Sequence, residues 1–188
     1  MQPDALPRET SRLRLLQPDP DAAPRVCDFH RRNRDHHGPW DPPRAPNFYQ
    51  VDGCRELLAE NRRDFAAGRS LKLFMERRDN ASIIGSVNFT NFVRGPFLAC
   101  NIGYAGDLDH EGQGYMSEAL RAAIEVLFGP LGFHRVMANY RPENIRSAFL
   151  LKRLGFAREG YARDYLFIDG AWRDHILTSL TNPSPVRP

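Results

Sequence analysis

A chain of 188 residues with 41% hydrophobic and 11% aromatic residues suits one domain with a real core. Charged residues make up 26% and the net charge is only +3, with no long Lys/Arg block. That excludes a nucleic-acid-binding signature and leaves a mild bias toward anionic partners. Arginine far outweighs lysine (Lys72, Lys152), and composition alone attaches no function to that.

Cys27, Cys54 and Cys100 are odd in number and far apart, with no CxxC pair, so neither a disulfide framework nor a zinc ribbon is indicated. A reducing compartment fits best. The start, MQPDALPRETSRLRLLQ, has early acidic residues and no apolar run of a signal peptide. No segment approaches membrane-spanning length. The expected location is cytoplasmic.

In chain order, residues 1–10 read as a loose tail and residues 11–17 (SRLRLLQ) as a first strand. Asp19-Pro20-Asp21 is a helix-start signal, and residues 21–37 read as a helix with Val26, Phe29 and Arg32 on one side. Residues 38–49 hold four prolines around Trp40 and form a stiff loop. A second helix through residues 54–68 carries Leu57, Leu58, Asn61 and Phe65 at helical spacing and closes at Gly68. Residues 71–78, 82–92 and 97–105 are strands joined by short turns, an antiparallel meander. The clearest helix follows, with Met116, Ala119, Leu120, Ala123, Ile124, Leu127 and Phe128 in one apolar stripe. Residues 134–141 are a strand. A short helix runs from an Asn144 N-cap to a Gly155 C-cap. A final hairpin turns at Asp169-Gly170, and residues 182–188 are a frayed tail. The order predicts an α/β chain (α+β in layout) with a mixed, mostly antiparallel sheet and one strand–helix–strand crossover.

Chemistry concentrates in LDHEGQGYMSEAL, residues 108–120. A helix start offers unpaired N–H groups and a partial positive charge, and glycines let a ligand approach the backbone. Such an end binds phosphate, although an ordinary strand-to-helix loop has the same composition. No Gly-Lys-Ser/Thr is present, and Ser117 stands where a dinucleotide fingerprint needs its third glycine.

The strand FLACNIGYA, the loop DHEGQGY, the helix MSEALRAAIEVLF and the run HRVMANYRPENIRSAFLLKRLGF together resemble the acetyl-CoA-binding core of the GNAT N-acetyltransferase superfamily. The resemblance runs from about Leu71 to Leu180. The run ANYRPENIRSAFLLKRLGFAREGYARDYLFIDGAWRDH is similar to ribosomal-protein-alanine N-acetyltransferases of the RimJ type. It implies a GNAT fold of about seven strands with a central splay and about four helices, forming one domain over residues 1–188. The superfamily loop is Arg/Gln-x-x-Gly-x-Gly/Ala; Gly112 and Gly114 match it, whereas Asp109 stands at the basic or amide position. A carboxylate beside pyrophosphate is unfavourable, so Asp109 is expected to point away or to pair with Arg121 or His110.

The resemblance further implies acetyl-CoA between the strand around Asn101, Ile102, Gly103 and Tyr104 and the strand carrying Asn139. The loop His110, Glu111, Gly112, Gln113, Gly114 and Tyr115 would lie at its phosphates, and Asn144, Ser147 and Leu151 along the pantetheine. A backbone N–H would polarise the thioester carbonyl for direct attack by an amine. Ser147 resembles the residue serving the leaving sulfur in related ribosomal-protein acetyltransferases; its plain alternative is a helix-end hydrogen bond. An α-amine of pKa about 8 needs only a weak base, for which Asp164, Glu159, Asp174, His175 or a water chain are the candidates. Each side chain also reads as an ordinary turn or salt-bridge residue. Lys152 and Arg153 read as phosphate contacts or as a solvated face. Cys27, His30, His36 and His37 lack a second ligand pair, so no metal is expected. Trp40, Phe48 and Tyr49 read as the wall of an acceptor groove or as loop packing.

The implied activity is acetylation of a protein N-terminus, an alanine of a small-subunit ribosomal protein. The alternatives are a small-molecule amine acceptor (antibiotic or polyamine) and a non-catalytic acyl-CoA sensor or ribosome-assembly module. No membrane contact and no direct nucleic-acid contact is expected, beyond association with the ribosome.

Overall fold

A computed structural model describes residue 6 and residues 8–184. Its sheet has eight strands in the order β1-β2-β3-β4-β5-β6-β8-β7. The chain runs β1 (Arg8–Glu9), β2 (Leu13–Leu16), α1 (Ala23–Arg32), α2 (Arg34–His37), α3 (Val51–Ala66), β3 (Leu71–Arg77), β4 (Ile83–Val93) and β5 (Ala99–Gly106). It continues with α4 (Tyr115–Phe128), β6 (Arg135–Tyr140), α5 (Ile145–Arg153), β7 (Ala157–Ile168) and β8 (Ala171–Thr181). Every strand pair is antiparallel except β5 with β6, the crossover that α4 makes. No helix among the described residues is long and apolar enough to cross a membrane.

The counts exceed the expected seven strands and four helices for two physical reasons. Arg8 and Glu9, expected in a loose tail, pair with Leu15 and Arg14. The helix expected over residues 21–37 breaks at Asn33, whose side chain has distant work to do. Its amide donates to the Phe29 carbonyl at 2.9 Å and its oxygen accepts from Leu108 N at 2.9 Å. At the other end Asn182, expected in a frayed tail, is buried and donates to the Phe128 and Phe133 carbonyls. Residues 1–5, 7 and 185–188 of the expected tails lie outside the described residues. Strand 97–105 begins only at Ala99, because Leu98 has φ 41° and cannot extend the ladder. The α5 C-cap is Leu154, one residue before the expected Gly155.

Strand side chains alternate between faces, which gives the sheet two cores. Leu71, Leu73, Val87, Phe89, Cys100 and Ile102 meet the α4 stripe of Ala119, Leu120, Ala123, Ile124 and Leu127. On the other face Phe74 and Ile83 meet Val26, Phe29, Cys54 and Leu58 from α1 and α3. Each such aliphatic or aromatic side chain removed from water contributes about 1.5–3 kcal/mol. Cys27, Cys54 and Cys100 are all free and buried.

The feature that positions the site is the β5/β6 seam. Their pairing covers only Ala99↔Arg135, Cys100↔Val136 and Asn101↔Met137. Beyond it, β5 stays paired with β4 as far as Gly106, and β6 stays paired with β8 as far as Tyr140. The two strands part in mid-sheet, as the resemblance implies.

Candidate active site

Two cavities open at the end of β5, one on each face of the sheet. The larger, about 1260 Å³, is bounded by the end of β5, the start of α4 and the first turns of α5; Gly112, Gly114, Tyr115, Asn144 and Ser147 are among its walls. The smaller, about 530 Å³, lies on the α1/α3 face over Lys72, Ser86, Asn88, Thr90 and Gly103. Among the described residues His37, Asp41, Tyr104 and Ala105 line both, so the cavities meet at the end of β5.

The start of α4 is held open by backbone conformation. Gly112 has φ +72° and Gly114, the N-cap, has φ +82°, a region where a side chain is strained. A Cβ on Gly112 would meet nothing within 4 Å, and one on Gly114 only Arg12 Nη2 at 3.5 Å. Among the described residues no hydrogen bond uses the amides of Gly112, Gln113, Gly114 or Tyr115, and Gly112 and Gly114 line the cavity. The loop is anchored behind by Asp107, whose side chain is 2% exposed and bonded to Arg32 Nε at 2.7 Å and Nη2 at 2.5 Å. Its other oxygen accepts from Asp109 N at 3.2 Å. Asp109 itself is exposed and lies off the cavity wall, which resolves the expected conflict by pointing away. Arg121, Arg146 and Arg153 are cations on the same wall.

Glu118, in the first turn of α4, clamps the N-terminal segment. It accepts from Thr10 Oγ1 at 2.6 Å, Arg12 N at 2.9 Å, Arg12 Nε at 2.7 Å and Ser11 Oγ at 3.0 Å. Burial alone would raise its pKa; the hydrogen bonds from Thr10, Arg12 and Ser11 outweigh that and hold it at about 2. Arg12 also donates to the Gln113 carbonyl at 3.0 Å and stacks over Tyr115 at 4.2 Å.

Asn144 caps α5, accepting from Ser147 N at 3.0 Å. The Ser147 hydroxyl makes no hydrogen bond among the described residues and shares the cavity wall with Tyr104. Burial pushes Tyr104 up to about 12, with Ser147 pulling it down and Tyr140 pushing it up, so it stays a neutral phenol near neutral pH. His37 Nε2 lies 2.8 Å from the Gly106 carbonyl; as that oxygen only accepts, Nε2 carries the proton.

Of the expected site residues, Tyr104, His110, Glu111, Gly112, Gly114, Tyr115, Asn144 and Ser147 line the larger cavity. Others do not reach it. Asn101 lies in the still-paired part of the seam, and Ile102 and Leu151 are core residues. Gly103 faces the smaller cavity instead. Gln113 turns back to the Asp109 carbonyl at 3.1 Å. Asn139 is engaged by the Tyr165 hydroxyl at 3.0 Å and by Thr178 N at 3.4 Å. Trp40, expected on the acceptor side, lines the larger cavity under Arg141 at 5.2 Å, while Tyr49 lines the smaller.

None of the four base candidates lines either cavity. Glu159 is taken by Arg135, Asp174 by the Tyr161 hydroxyl and Asp164 N, and His175 is buried against the Arg173 carbonyl; Asp164 spends its backbone on that bulge. The titratable groups actually at the junction, Asp41 and His37, were missed. Their one local signal was position: His37 ends α2 and Asp41 follows Trp40 in the proline-rich loop. Cys27 bonds the Tyr49 carbonyl and His30 stacks on Phe48 at 4.4 Å.

Comparison with known proteins agrees with this geometry. Residues 12–157 match the acetyltransferase (GNAT) domain. The [ribosomal protein uS5]-alanine N-acetyltransferase of Escherichia coli (strain K12) is 44% identical over 159 residues, 85% of this chain and 82% of that protein. The crystal structure of ribosomal-protein-S5-alanine acetyltransferase from Vibrio fischeri superposes with a TM-score of 0.91 at 34% identity, covering 96% of this chain and 98% of that one. Mycobacterium smegmatis RimJ in complex with CoA-disulfide gives 0.86 at 26% identity, covering 94% and 88%. A sheet parted at its crossover, a glycine-opened helix start facing the gap, and these matches together make the chain a member of the GNAT acetyltransferase family.

Proposed function

We propose that the protein transfers the acetyl group of acetyl-CoA to the N-terminal α-amine of a protein, an alanine of a small-subunit ribosomal protein. The observation that carries this is the meeting of two cavities at Tyr104 and Ala105, reached from opposite faces of the sheet. A coenzyme and an acceptor entering separately would find their reacting ends together there. The 44% identity to the E. coli uS5-alanine enzyme supports the acceptor, and the CoA-disulfide held by the M. smegmatis relative supports the coenzyme.

The residues fit the coenzyme. The open amides at Gly112 and Gly114 and the positive end of α4 suit pyrophosphate, and Arg121, Arg146 and Arg153 add charge. When bound, acetyl-CoA supplies an activated thioester. A β5 amide at the parting polarises its carbonyl. The amine nitrogen forms the new N–C bond as the C–S bond breaks. The Ser147 hydroxyl, in the first turn of α5, donates a hydrogen bond to the departing sulfur, aided by the positive helix end. A thiol of pKa about 8.5 leaves as thiolate without a strong acid. Asp41, the carboxylate common to both cavities, is held only by a solvent-exposed, weak ion pair to Arg44 and takes the proton the amine loses. It need be only a weak base, because the α-amine ionises near pKa 8 and not near lysine's 10.4.

Acetyl-CoA at about a hundredfold over its Kd should add about 2.7 kcal/mol of stability, read as a rise in Tm. An Ala-starting ribosomal peptide should then gain an acetyl group at its α-amine by mass spectrometry. Ser147→Ala should lower kcat while leaving acetyl-CoA affinity nearly unchanged; an unaltered kcat removes Ser147 from the chemistry. No thermal shift overturns the coenzyme reading. Acetylation of a polyamine or aminoglycoside with no peptide turnover overturns the acceptor reading.

A further inference from the structure

The smaller cavity has a polar floor in a place where the fold alone asks for apolar cover. On the same sheet face, Phe74 and Ile83 are buried under α1 and α3. The cavity floor beside them is instead Lys72, Ser86, Asn88 and Thr90. Lys72 stands out. Of 26 basic residues, only Lys72 and Lys152 are lysine, so this chain uses arginine nearly wherever a cation suffices. At Lys72 it keeps the compact, flexible point charge that arginine cannot mimic.

The cavity also carries surplus positive charge. Its two carboxylates are already matched: Asp41 with Arg44 at 2.9 Å, and Asp169 with Arg173 at 3.6 Å. Arg34 lies over Tyr49 at 4.8 Å on the rim. Among the described residues no carboxylate lies within ion-pair distance of Lys72, since the two that share its cavity are paired elsewhere. Its ammonium therefore meets the cavity unneutralised, which favours a ligand that brings negative charge.

The sheet register sets where that charge should be. Lys72 pairs with Asn88, and Asn88 with Gly103, so Lys72 lies two strands from β5 in line with the parting. Two strand spacings are about 10 Å, and an extended peptide rises about 3.3 Å per residue. An acceptor whose α-amine sits at the end of β5 and whose chain crosses β4 toward β3 reaches Lys72 about three residues on. Resting on the reading of this cavity as the acceptor site, we infer that it selects a peptide carrying a carboxylate side chain at its third or fourth residue, held by Lys72. Ser86, Asn88 and Thr90 supply hydrogen-bonding groups along the way.

Matched Ala-starting peptides with Glu or Gln at the third and fourth positions test this. The unmodified protein should favour the Glu peptide about tenfold in kcat/KM, about 1.4 kcal/mol, expressed mainly in KM. In Lys72→Gln the preference should vanish while the acetyl-CoA thermal shift is retained, which also shows that the variant folds. Lys72→Glu should favour a peptide with Lys at those positions. Equal turnover of both peptides by the unmodified protein, or a preference that survives Lys72→Gln, overturns this inference and leaves the acetyltransferase reading standing. Turnover of neither peptide overturns both.

Discussion

Replacing Arg32 by methionine isolates the anchor behind the coenzyme loop. Arg32, at the end of α1, grips Asp107 through two nitrogens at 2.7 and 2.5 Å, and the Asp107 side chain is 2% exposed. Removing the guanidinium leaves a buried carboxylate whose nearest remaining partner is the His110 imidazole, 3.7 Å away. Breaking such a pair from one side costs about 3–5 kcal/mol. For a chain of this size each kcal/mol lowers Tm by about 2–4 °C, so the fall is about 6–20 °C. Asp107→Asn is milder, about 1–3 kcal/mol, because Arg32 keeps Asp28 at 2.5 Å and the Ile83 carbonyl. The double variant Arg32→Met/Asp107→Asn should therefore lie close to Asp107→Asn alone. Urea unfolding of all four proteins gives the coupling energy. A cost under about 1 kcal/mol for Arg32→Met, or singles that add within about 0.5 kcal/mol, would refute the dependence of Asp107 on Arg32. Because Asp107 also holds Asp109 N, the acetyl-CoA thermal shift should shrink in Arg32→Met.

Gly114→Ala should lose about 1–2 kcal/mol for its left-handed backbone, since a Cβ there has ordinary space, yet it should lose most of the acetyl-CoA thermal shift because the methyl stands among the cradle amides. A full shift in that variant would sink the cradle. Acid unfolding should show two contributions. Glu118 is held at about 2 against an ordinary 4.5, so its contribution is complete above about pH 4.5 and is lost as pH falls toward 2; Glu118→Gln should flatten that limb. Burial, with Arg44 and His37 adding to it, lowers His30 from 6.5 to about 4. Its contribution is complete above about pH 6.5 and is lost as pH falls toward 4, a limb that His30→Gln should remove in urea midpoints read from about pH 7 to about pH 3.

What could be read ahead of the structure was local. The α4 stripe, the meander and the Asp169-Gly170 turn each announce themselves within one window of sequence, and each is present. The break at Asn33 and the β1 strand could not be read that way. Asn33 leaves the helix ladder to reach Leu108, and Arg8–Glu9 becomes a strand only because β2 offers an edge. The site divides likewise. Gly112, Gly114, Asn144 and Ser147 sit in short motifs tied to helix starts, whereas Asp41, His37 and Lys72 come together only when α2, its following loop and β3 are folded against the end of β5. The base candidates drew notice as titratable residues in the family-like run, but Glu159 is spent on Arg135 of β6, and Asp174 on the Tyr161 hydroxyl and the Asp164 amide at the β7 bulge.

The parting of β5 and β6 has a consequence for self-association. A strand edge is a template for adding another chain, and a sheet ordinarily has two of them, at its margins. Here the margins are blunted: β1 is two residues long, and β7 carries Arg158, Glu159, Arg163 and Asp164 and loses register between Ala162 and Leu166. The edges that must stay unpaired, β5 beyond Asn101 and β6 beyond Met137, are placed in the interior of the sheet beside a cavity walled by α4 and α5. A foreign strand approaching from the perimeter has no access to them. The molecule can thus keep two unpaired backbone edges for use without placing them at the margins of its sheet.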